Sequence, residues 1–189
     1  MTAHALMFVD KPTFYRFIET ADEQHRYEFV RGWIMQQQAG GTFKHARLGK
    51  AFVEALSRAL DRDTWVVLGS DRGIDTGETV RHADAVVEQL GAADNSLSTE
   101  APVLIVEVLS QSSEERDLSA KPVDYLSLTS LEAYIVASQD EPLCYVWLKG
   151  ADRTFKSEPS TVKGRDQVIQ VRALGIAISL GDIYRGICA

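Results

Sequence analysis

Cysteine is scarce in this chain: Cys144 and Cys188 are the only two among 189 residues. They form neither a disulfide framework nor a metal-ligand spacing, and a reducing cytoplasm is the simplest setting for them. Proline is scarce too, with five residues, and no Pro/Gly/Ser-rich linker, repeat or low-complexity tract divides the sequence. A single domain over residues 1–189 is therefore expected. Long hydrophobic runs are missing; the longest apolar stretch, Ala101 to Val106, falls far short of the roughly 20 residues a membrane span needs. The N-terminus has no basic region and Asp10 closes its short apolar run, so no signal peptide is expected. Positive charge is also in deficit, 20 Lys and Arg against 27 Asp and Glu, a net of −7. A domain with a strong phosphate footprint is usually basic. A nucleic-acid partner would thus need a bound divalent metal or a local basic groove to supply the attraction.

What is present is ordinary globular material, 45% apolar and 25% charged. A chain of this length can bury about 70% of its surface, enough for one sizeable core. Lys11-Pro12-Thr13 leads into Phe14, Phe17 and Ile18, whose spacing predicts a short amphipathic helix ending near Asp22. Residues 26–36 predict a β-hairpin turning at Arg31-Gly32. Over 43–61, Leu48, Phe52, Ala55, Leu56, Ala59 and Leu60 form the apolar stripe of the strongest helix. Strands are expected at Trp65–Leu68, Val80–Val87 and Pro102–Leu109, the last nearly continuous in apolar residues, as in a strand buried on both faces. A helix over 117–128, strands at Ala133–Ala137 and Leu143–Leu148, and a final strand with a short turn or helix complete an α+β or mixed α/β reading.

Two of these apolar strands carry a carboxylate, Asp84 in one and Glu107 in the other. Burying a charge is costly unless it is paired or binds metal. Taken singly, each carboxylate reads as one that reaches solvent at a strand end or meets an arginine such as Arg81. Taken together, and followed by Lys121, they read as chemistry. Two carboxylates on neighbouring strands make a hard-oxygen site for Mg²⁺ or Mn²⁺, and a nearby lysine can hold a water and offset phosphate charge.

This order of residues resembles the PD-(D/E)XK nuclease superfamily and, over nearly the whole chain, the Uma-type family of candidate restriction endonucleases. Tyr27-Glu28-Phe29-Val30-Arg31-Gly32 is similar to that family's Tyr-Glu-Leu-hydrophobic-Asp-Gly. His45 opens the long helix as the family's histidine does. Arg81-His82-Ala83-Asp84 resembles Arg-X-Pro-Asp, and Val106-Glu107-Val108-Leu109-Ser110 resembles Val-Glu-Val-Leu-Ser. Asp117, Lys121 and Tyr125 are similar to its spaced Asp…Lys…Tyr, and Glu132-Ala133-Tyr134-Ile135-Val136 to Glu-Tyr-Trp-Val-Val.

The resemblance implies a restriction-endonuclease-like core, a mixed central sheet flanked by helices, and metal-dependent cleavage of DNA with Mg²⁺, or Mn²⁺ as its substitute. Asp84, Glu107 and Lys121 would be catalytic. The metal would sit on Asp84, Glu107 and the main-chain oxygen of Val108, with Glu28 joining through a metal-bound water. Leu109 stands where the superfamily's usual lysine falls, so Lys121 takes that part from the following helix. Ala83, Gln111 and Ala120 depart from the family pattern. Pro122 requires that this helix start near Ala120 or kink there.

Lesser candidates are His45, beside Lys44 and Arg47, as a phosphate contact at a helix N-terminus or a plain surface or capping residue; and His82, as a residue tuning the site or a half-exposed strand histidine. His4 and His25 have no evident partner. No nucleophile elbow, Cys/His pair or phosphate loop is present. The reading is a Mg²⁺-dependent DNA nuclease that works as a homodimer or larger closed assembly. A non-catalytic interaction protein on the same fold is the alternative, and an enzyme for small phosphodiesters would suit the acidic surface.

Overall fold

The computed structural model describes residues 4–22, 24–38, 41–109 and 116–187. Ser110, Gln111 and Cys188, singled out in the sequence, lie outside them. Two six-stranded sheets dominate. The first runs β1 (His4–Phe8), β3 (Trp33–Gln38), β2 (His25–Val30), β6 (Thr79–His82), β5 (Gly73–Asp75), β8 (Ser98–Thr99); the last pair is parallel and the others antiparallel. The second runs β12 (Ser160–Lys163), β11 (Leu143–Leu148), β10 (Ala133–Ala137), β9 (Pro102–Val108), β7 (Ala85–Gln89), β4 (Trp65–Leu68). Within it β9 and β10 are parallel, so both sheets are mixed. A small ribbon of β13 (Val168–Val171) and β14 (Ile176–Ser179) lies beside the second sheet's core.

The hairpin β2–β3 turns at Arg31-Gly32, both at positive φ (47° and 92°), as a two-residue turn matching strand twist demands. Glycine at the second position has a further cause: a Cβ there would run into the Phe8 ring. Helix α2 (Phe43–Ala59) starts where the Thr42 hydroxyl accepts from the His45 amide at 3.2 Å, the N-cap arrangement that satisfies an otherwise orphaned donor. Its Leu48, Phe52 and Leu56 pack on Val87, Leu104 and Val106 of the second sheet. The opposite face of that sheet, with Ile105, Tyr134 and Val136, is covered by Tyr125 and Leu128. Helix α1 (Lys11–Ile18) seals the first sheet with Phe14 against Phe29, Ile34 and Val80.

The run expected as one strand over Val80–Val87 is two strands. The chain leaves the first sheet after His82, bends through Ala83 and Asp84, and enters the second sheet at Ala85. An apolar run long enough for one strand conceals a change of sheet because burial is continuous across it. Residues 117–128 divide as well. A π turn, Arg116–Ala120, precedes the short α3 (Lys121–Tyr125). Pro122 thereby falls in the first turn of α3, where its missing N–H costs no helical bond. The terminal segment closes with α4 (Leu180–Ile183). Among the described residues no helix is long and apolar enough to cross a membrane.

Candidate metal and phosphodiester site

The sheet-to-sheet bend places Asp84 beside the end of β9. Its amide donates to the Val106 carbonyl at 3.0 Å, and its Oδ2 accepts from the Val108 amide at 2.7 Å. The carboxylate thus takes over the ladder position that β7 leaves vacant, and a buried backbone donor gains its partner. From the other side, the His45 ring of α2 puts Nε2 3.0 Å from the Val108 carbonyl and 3.5 Å from Asp84 Oδ2. Gly49, one turn along α2, faces the Asp84 Cβ.

Glu107 is Val108's neighbour along β9 and turns toward α3. Its Oε1 lies 2.6 Å from Lys121 Nζ and accepts from the Tyr125 hydroxyl at 3.3 Å. Both side chains of the Lys121–Glu107 pair are about 95% buried, with 4% and 5% exposed. An ion pair in that setting persists because either partner alone would be a buried bare charge. Lys121 also donates to the His82 carbonyl at 3.4 Å. Burial, together with the Glu107 and Glu28 charges, pushes the Tyr125 phenol well above its ordinary value, so it acts as a donor.

Glu28 is engaged by Arg81 and His82. Its Oε2 is 3.4 Å from the Arg81 guanidinium and its Oε1 accepts from the His82 amide at 3.2 Å. Arg81 in turn holds Asp124 at 2.7 Å, and Asp124 is also held by Arg31 at 2.6 Å. The arginine therefore serves Glu28 and Asp124, not the two candidate metal carboxylates. Burial pulls the Arg81 guanidinium down, but Glu28, Asp124 and Tyr125 more than offset it and its pKa is raised. Among the described residues no three His, Cys, Asp or Glu side chains form a group that could hold a metal ion.

His82 is half-buried, with Nδ1 3.1 Å from the Ser70 carbonyl; burial holds its imidazole below the usual value. Asp124 escaped the sequence reading. The available signal was a carboxylate inside a short apolar helix three residues after Lys121, a spacing that puts both on one face. The large cleft of about 1020 Å³, lined by Lys11, Tyr15, Arg72, Asp75 and Glu88, lies elsewhere.

The donor chemistry near Val108 suits a hard divalent cation: the Asp84 carboxylate, the Val108 carbonyl and, one residue back, the Glu107 carboxylate are all oxygen. Such an ion binds few protein groups and keeps several waters.

The family model for Uma2, described as "Putative restriction endonuclease", matches residues 12–181. No curated protein sequence matches the chain. A crystal structure described as a putative nuclease belonging to DUF820 from Anabaena variabilis superposes with a TM-score of 0.72. It shares 15% identity, over 89% of this chain and 94% of that one, so the likeness is one of fold.

Proposed function

The chain belongs to the Uma2 family, and from that premise we propose that it is a divalent-metal-dependent nuclease hydrolysing DNA phosphodiesters. The observation that carries this reading is the meeting of Asp84 with the backbone of Val108, the residue that follows Glu107 of the buried Glu107–Lys121 pair along β9. Asp84, Glu107 and the Val108 carbonyl would hold Mg²⁺ or Mn²⁺. The bound ion would polarise the phosphate and make a coordinated water more acidic. Lys121 supplies a fixed positive charge and donors; in this reading it orients the attacking water and offsets the charge gained by the phosphate. Its burial strengthens that effect, because low dielectric screens the charge less than water does. Tyr125 and the His82 carbonyl hold the Glu107–Lys121 pair in place.

The acidic balance of the whole chain is met by a local exception. The groove between α2 and α4 is lined by Arg47, Lys50, Arg58 and Arg185 against Glu54 and Asp182, with Phe43 79% exposed at its end. Such a surface suits a phosphate backbone, and a homodimer would bring two sites to one duplex. A non-catalytic protein on the same fold remains the second reading, favoured by the closed Lys121–Glu107 contact at 2.6 Å.

The test is incubation of the purified chain with supercoiled, linear and single-stranded DNA in Mg²⁺, Mn²⁺ or EDTA. Metal-dependent cleavage is expected, absent in Asp84→Asn and Glu107→Gln. Both variants should also lose the metal-induced rise in melting temperature. Asp84→Asn keeps an acceptor for the Val108 amide, so its metal-free stability should stay within about 1 kcal/mol of the parent. Intact DNA in every condition, with no metal shift in the parent, would favour the non-catalytic reading.

A further inference from the structure

The groove between α2 and α4 does more than gather positive charge. Phe43, Arg47, Lys50, Glu54 and Arg58 follow one another at intervals of three or four residues, so they form one face of α2, about 22 Å long. Asp182 and Arg185 stand across a groove of about 930 Å³. Lys50 is matched by Glu54 at 3.4 Å and Arg185 by Asp182. Arg47 and Arg58 donate instead to the carbonyls of Gly186 at 2.8 Å and Glu54 at 3.1 Å, so among the described residues no carboxylate pairs with either. Two unmatched guanidinium groups three helical turns apart suit a chain of phosphates better than a single anion.

At one end of this face the Phe43 ring is 79% exposed, more than any other large apolar side chain described. The Arg47 guanidinium lies over it, 5.6 Å from the centroid, and leaves most of the ring open. A ring left in water forgoes its burial energy, which a partner with a flat apolar face would restore. A nucleobase has such a face, and the arginine beside it adds a cation–π contact. Inside a duplex both faces of each base are taken by its neighbours, whereas an unpaired strand can splay a base out onto the ring. Resting on the reading that DNA is the substrate, we propose that the α2–α4 groove binds single-stranded DNA, with Arg47 and Arg58 on its phosphates and Phe43 stacked on a base. Phe43 and His45 leave the first turn of α2 on opposite sides, and the His45 ring reaches Val108 and Asp84. A strand running past Phe43 thus rounds the end of α2 toward the candidate site.

Fluorescence anisotropy with a labelled oligonucleotide of about 12 nucleotides, in EDTA and at fixed salt, reads binding without cleavage. The parent should bind the single strand about 10-fold more tightly than the duplex of the same sequence, since one stacked base is worth that much. Phe43→Ala should weaken single-strand binding about 5- to 100-fold and leave duplex binding unchanged, while Phe43→Trp keeps the preference. Arg47→Gln and Arg58→Gln should each lower the salt slope of single-strand binding by about 0.7. Phe43 and Arg58 are exposed, so their variants should fold, as circular dichroism would check. Equal binding of single strand and duplex, or a Phe43→Ala protein that binds as the parent does, overturns the groove assignment; metal-dependent cleavage in the same preparation would leave the nuclease reading standing. The expected binding losses with DNA intact in every metal condition would support the groove and remove the nuclease reading.

Discussion

Lys121 is a long, normally solvated side chain held with only 4% exposure, and its nearest described anion is Glu107 at 2.6 Å. Removing one partner of such a pair leaves a buried charge without its counter-charge. Lys121→Met should therefore cost about 3–5 kcal/mol in urea denaturation. The double variant with Glu107→Gln should recover much of that loss, because no charge then remains to be solvated. The coupling in this double-mutant cycle measures the pair. Any DNA cleavage should vanish in both proteins, so stability and activity separate at this residue. Similar stability losses in the single and double variants would mean that neighbouring groups, and not the pair, carry the energetics.

At the scale of elements, α1 is fastened to the first sheet at two kinds of contact. Phe14 fills the apolar side, while Lys11 pairs with Asp75 at 2.7 Å and the Tyr15 hydroxyl meets Asp75 at 3.1 Å and Ser98 at 2.7 Å. Burial, with the Asp75 charge and against the Ser98 hydrogen bond, pushes the Tyr15 phenol up to about 12. A raised phenol favours the folded state below the unfolded value near 10; that stability is lost as pH rises through about 12. Stability should accordingly fall between about pH 10 and 12, and less steeply in Tyr15→Phe, as alkaline denaturation followed by circular dichroism would measure. Equal slopes would place the alkaline loss elsewhere. The periodicity of α1 made the helix legible, but not this polar attachment, since β5 and β8 were not read as strands. Each is too short, three residues and two, to show alternation.

For the whole molecule, the question is how two sheets act as one. The chain crosses between them at Ala83-Asp84, and charges span the same region: buried Glu28 and Arg81 from β2 and β6 and Asp124 from α3, with half-exposed Arg31 from the hairpin turn. Such a network is costly to open by halves, because partial separation would strand a charge in the interior. We expect one cooperative transition. A variant retaining only Trp33, in β3, reports the first sheet, and one retaining only Trp147, in β11, reports the second. Their fluorescence midpoints in urea should coincide; two separated midpoints would show that the sheets unfold independently.

The sequence by itself determined much at the level of local chemistry. The Arg31-Gly32 hairpin, α2 with its apolar stripe, and strands β4, β10 and β11 follow from turn residues and hydrophobic period, which act between near neighbours. It also picked out Asp84, Glu107 and Lys121, because charges in apolar runs need a reason. Only the tertiary structure decided their relations. The break at Ala83-Asp84 is invisible in an unbroken apolar run, and the π turn that makes room for Pro122 depends on what α3 packs against. Glu28 meets Arg81 and His82, and His45 reaches Val108 and Asp84 from 63 and 39 residues away in the chain. Which carboxylate meets which cation is settled by distances between elements, and those distances are set by how two sheets and their helices pack.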